Sequence, residues 1–105
     1  MSTFPLAEMR LEALRKEEAD IKDRLKEAVA NKNLPVQAEH LHHLTNVYIR
    51  RYAEDKTLST LTKAFALCNT AVAKNCNDTL LVELQNTQLE LEGLLVHHVC
   101  TSGAA

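Results

Sequence analysis

A chain of 105 residues with 46% hydrophobic side chains, but with Phe4, Tyr48, Tyr52 and Phe65 as its aromatics, must build its core from Leu, Ala and Val. That palette, with two glycines and two prolines, suits helices and excludes a β-sandwich, which draws on β-branched and aromatic runs. The net charge of −2 is spread unevenly, and beyond Lys74 the only charged residues are Asp78, Glu83, Glu90 and Glu92, so no basic cluster exists to neutralise phosphates and nucleic acid is excluded as a partner.

The opening "MSTFPLAEMR" lacks a positive segment followed by an apolar core, so it does not read as a signal peptide. No apolar run approaches ~18 residues, and no membrane span is expected. Cys68, Cys76 and Cys100 are odd in number and lack a CxxC pair. They read as reduced thiols in a cytoplasmic protein rather than a disulfide frame.

The fold class predicted is all-α, with four antiparallel helices over residues 4–31, 35–53, 58–74 and 78–99 packed as αα-hairpins. In the first, Phe4, Ala7, Leu11, Leu14, Ile21, Leu25 and Ala28 recur at three- and four-residue steps, the stripe of a helix lying on a core. Only Glu18 interrupts it. Buried there, Glu18 would cost stability, so a solvent-lined or register-setting place is expected. Acid-before-base pairs Glu12–Lys16, Glu18–Lys22 and Asp20–Arg24 support the exposed side. "NKNLP" ends the helix, with Pro35 holding Leu34 extended.

The second helix carries Leu41, Leu44, Tyr48 and Tyr52 on one face, and "EDKT" follows it as a polar connector. The third places Leu58, Leu61, Phe65, Cys68 and Val72 on a stripe, with Thr57 or Ser59 as its cap. After "NCND", Asp78 is expected to cap the fourth, whose apolar positions are Leu81, Leu84, Leu91, Leu94 and Leu95. Gly93 weakens that helix by roughly 1 kcal/mol relative to Ala. Connectors this short make consecutive helices antiparallel neighbours.

"AEHLHHLTNVYIRRYAE" concentrates three histidines in four positions. At about 100° per residue, His42 points away from the leucine–tyrosine face and is expected in water, while His40 and His43 share a flank. Two of the three could share a ligand and the third could not join them, which leaves the set short of the three or four ligands a zinc site needs. Glu39 and His42 have Glu-x-x-His spacing, but a di-metal bundle needs a second such pair. His97 and His98 are adjacent and diverge. No metal and no cofactor is expected. No acid, base and nucleophile converge in the sequence either, and Cys68, on an apolar stripe, is expected to be an inert buried thiol. The chain is therefore not read as an enzyme.

A step of 43 residues aligns Ile21, Leu25 and Ala28 with Ala64, Cys68 and Ala71, and Leu41, Tyr48 and Tyr52 with Leu84, Leu91 and Leu95; Leu44 meets Thr87, a mismatch. The spacing of Leu41, Leu44, Thr45 and Tyr48 in "LHHLTNVY", followed by Ala64, Cys68 and Ala71 in "AFALCNTA", resembles the first and second helices of a tetratricopeptide repeat. Thr45 stands where that family has a smaller residue and Cys68 where it has an aromatic. The closing proline is missing, and the span from Tyr48 to Ala64 is about seven residues longer than the family's unit. The same period also suits HEAT and armadillo hairpins, and a plain four-helix bundle stays open as the alternative.

The resemblance implies a scaffold that does no chemistry and whose stacked helices hold a peptide or helix of another protein. Elimination of the other classes points the same way. On the second helix His42, His43, Asn46, Arg50 and Arg51 are the candidate partner-binding residues, suited to an acidic segment or a C-terminal carboxylate. The rival within the binding class is self-association, a homodimer formed through the near-heptad seam of the first helix. So few hairpins would make the chain either a capped array or the N-terminal piece of a longer one.

Overall fold

Apolar residues at three- and four-residue steps give each segment one buried side, and the computed structural model, which describes residues 6–102, is built from four α-helices: α1 (Leu6–Ala30), α2 (Leu34–Asp55), α3 (Leu58–Lys74) and α4 (Asp78–Ser102). No strand occurs among the described residues. The expected starts at residues 4 and 5, Phe4 included, lie outside the described residues. None of the helices is long and apolar enough to cross a membrane among the described residues.

The boundaries follow from local chemistry. Lys32 takes the left-handed conformation at φ 55°. From there the Lys32 N–H donates to Val29 O at 3.0 Å and the Asn33 N–H to Ala28 O at 2.9 Å, the paired closure that satisfies the last carbonyls of α1. Lys56, also at φ 55°, ends α2 with its N–H on Tyr52 O. Asn33 caps α2 through its side-chain oxygen, and Pro35 sits in the first turn, where a missing N–H costs nothing. Leu34 is thus already helical, not extended: the cap precedes it by one residue. Thr57 caps α3 as expected, accepting from the Thr60 N–H. The cap of α4 is Asn77 rather than Asp78, because the Asn77 side chain accepts from both Thr79 N and Leu80 N.

α2 is the centre of the assembly. It packs against α1 and α3, α3 packs against α4, and α4 touches α2, whereas α1 and α4 do not meet among the described residues. Consecutive helices are antiparallel, so α2 and α4 run parallel, His42 meeting Thr87 near one end and Tyr52 meeting His98 near the other. The radius of gyration is 15.2 Å, against about 13 Å for a compact chain of this length. With one neighbour pair unmade, the helices form an open array rather than a closed bundle.

The core consists of Leu14 and Ile21 from α1, Ala38, Leu41, Leu44, Val47, Tyr48 and Tyr52 from α2, Leu61, Ala64, Cys68 and Ala71 from α3, and Leu80, Leu84 and Leu91 from α4. Small residues at Ala38, Ala64 and Ala71 let α2 and α3 approach closely. Leu58, expected in the stripe, is exposed in the first turn of α3. A shift of 43 positions carries buried residues onto buried ones: Glu18 onto Leu61, Ile21 onto Ala64, Ala28 onto Ala71, Gln37 onto Leu80, Leu41 onto Leu84, Tyr48 onto Leu91. The mismatched pair Leu44 and Thr87 obeys the same rule, both being buried. Thr87 tolerates this because its hydroxyl donates to Glu83 O at 3.0 Å.

Candidate functional site

Because α1, α3 and α4 cover α2 on three sides, α2 shows solvent a narrow strip: Glu39, His43, Arg50 and Ala53 are exposed and Asn46 is half-buried. These residues recur at three- and four-residue steps, so they share one line along the helix. Two clefts open beside that line, and a third lies apart from it between α2 and α4. One of about 350 Å³ spans α1, α2 and the start of α4, and is lined by Arg24, all three tract histidines, Glu39 and Glu83. A second, of about 320 Å³, lies between Arg10, Leu14 and Glu17 of α1 and Arg50, Ala53 and Glu54 of α2. A third, of about 400 Å³, lies between Tyr52 and Lys56 of α2 and Leu94, His97 and His98 of α4.

The histidine tract lies in this trough, with one correction. His42 is half-buried instead of solvated, its Nε2 3.0 Å from Thr87 Oγ1. The Thr87 proton is already directed at Glu83 O, so the His42 Nε2–H is the donor. Burial lowers the His42 pKa below 6.5; Glu83 raises it in part and His43 adds to the lowering. The reason is positional: α4 lies along one flank of the open strip, and His42 projects to that flank, into the α2–α4 seam. All three histidines line one cleft, yet no group of three His, Cys, Asp or Glu side chains is arranged to hold a metal ion among the described residues.

The arginines part company. Arg51 turns inward and donates from Nη1 to Glu18 Oε1 at 2.8 Å, with its guanidinium 5.0 Å from the Tyr48 ring centre. Glu18 is only 8% exposed. It accepts from the Tyr48 hydroxyl and pairs with Lys22 at 2.8 Å. Burial alone would raise its pKa, but the bonds from Lys22 and Tyr48 and the charges of Lys22 and Arg51 outweigh that and hold it below 4.5. Burial likewise pushes the Tyr48 hydroxyl above 10.0, aided by Glu18, and the bond to Glu18 raises Lys22. Glu18 therefore ties α1 to α2 from a buried place in the stripe rather than a solvent-lined one. Arg50 stays at the surface, paired with Glu17 at 2.9 Å. Asn46 and His43 make no side-chain hydrogen bond among the described residues.

Of the five candidate partner-binding residues, then, His43, Asn46 and Arg50 lie on the open strip, His42 lies in the α2–α4 seam and Arg51 in the α1–α2 seam. Sequence reasoning missed Arg24 and Glu83, which only the packing of α1 and α4 beside α2 brings to the trough. The thiols separate by environment. Cys68 is buried, its pKa raised by burial, and its S–H points at Leu84 O, 3.8 Å away. Cys76 and Cys100 are exposed and unpaired. The expected Glu12–Lys16 pair is replaced by Glu12 with Arg15 at 3.5 Å. Comparison of the chain with protein-family models, with curated proteins and with solved structures finds no match.

Proposed function

We propose that this chain is a non-enzymatic interaction module, a tetratricopeptide-like helical array that holds a peptide or helix of a partner protein along the open strip of α2. The observation that carries this reading is the strip itself: Glu39, His43, Asn46, Arg50 and Ala53 lie between α1 and α4 in a trough flanked by two clefts, one lined by Glu39 and His43 and the other by Arg50 and Ala53. The open neighbour-to-neighbour packing and the repetition of burial at 43 residues support an array over a closed bundle. The proposed setting is the cytoplasm, where unpaired cysteines persist. No cofactor is invoked.

The favoured partner is an acidic segment or a terminal carboxylate that competes with Glu17 for Arg50, an exchange between exposed groups that costs little. Arg51 is a poorer anchor, since a ligand would have to displace buried Glu18. Screening an array of acidic and C-terminal peptides tests this. Binding should be lost in the triple variant His43→Ala, Asn46→Ala, Arg50→Glu with its helicity unchanged, and strengthened in Glu17→Gln. Peptide hits indifferent to both changes, or no hits at all, would refute the proposal.

A further inference from the structure

We draw no further inference here: the strongest candidate, the cleft between α2 and α4 that gathers Lys56, His97 and His98, lies at the C-terminal ends of both helices, where positive side chains already answer the helix dipoles, and nothing in the structure shows what it would hold.

Discussion

Replacing Glu18 by alanine removes one side chain and leaves three groups without their shared partner. The Tyr48 hydroxyl, Arg51 and Lys22 all converge on its carboxylate, and Arg51 already has a buried Nε without a partner. Breaking a fully buried pair costs about 3–5 kcal/mol because it strands the remaining charge. Lys22 is half exposed and Arg51 keeps some access to water, so solvent recovers part of that. The expected loss is about 2–3 kcal/mol. In urea, with a slope of roughly 1–3 kcal/mol per molar for a small domain, the midpoint followed by circular dichroism should fall by about 1 M or more. Acid adds a second readout. The Glu18 pKa is lower in the folded chain than its ordinary 4.5, so its contribution is complete above that value and is lost as pH falls through the folded pKa. Wild-type stability should therefore drop more steeply than that of Glu18→Gln below pH 4.5. The triple change Glu18→Leu, Tyr48→Phe, Arg51→Met should recover most of the loss, since a well-packed apolar replacement of a buried pair is often neutral, and Leu61, 43 residues on, occupies the matching place. A cost below about 0.5 kcal/mol for Glu18→Ala, the value of an exposed salt bridge, would refute the reasoning, as would parallel acid profiles.

Three further outcomes are expected. Lys32→Gly should stabilise the chain by about 1 kcal/mol, read from the urea midpoint, because Lys32 holds φ 55° at a strain a glycine does not feel; an unchanged midpoint would discount that strain. Gly93→Ala, at an exposed helical position with open space around it, should raise stability by about 0.5–1 kcal/mol when measured dilute. His42→Gln keeps a donor for Thr87 and removes a group whose pKa burial lowers, with Glu83 and His43 as its charged neighbours. Folding favours the neutral imidazole, so wild type should lose stability as pH falls below 6.5, and the variant should lose less over the same interval.

Much of this was legible in the chain, for a local reason. Periodicity places Leu14, Ile21, Leu41, Leu44, Tyr48, Leu61, Cys68, Leu84 and Leu91 in the core, and all are buried, since a helix with an apolar side must cover it whatever covers it. Caps were half legible. Thr57 was named, but Asn and Asp compete at neighbouring positions, and the oxygen that reaches the free N–H groups belongs to Asn77. The left-handed lysines Lys32 and Lys56 carry no sequence mark, because the usual mark is glycine.

What tertiary structure alone decided is the number of neighbours each helix has. A single stripe describes a helix with one neighbour. α2 has three, so His42, assigned to water, is bound to Thr87, and Arg51, assigned to a surface, is held by Glu18. α4 has fewer neighbours than its apolar residues call for, and Val82, Leu89 and Val96 stand exposed. Residue spacing determines which side of a helix is apolar. Which sides meet is set by distances between helices remote in sequence, and no local pattern encodes those.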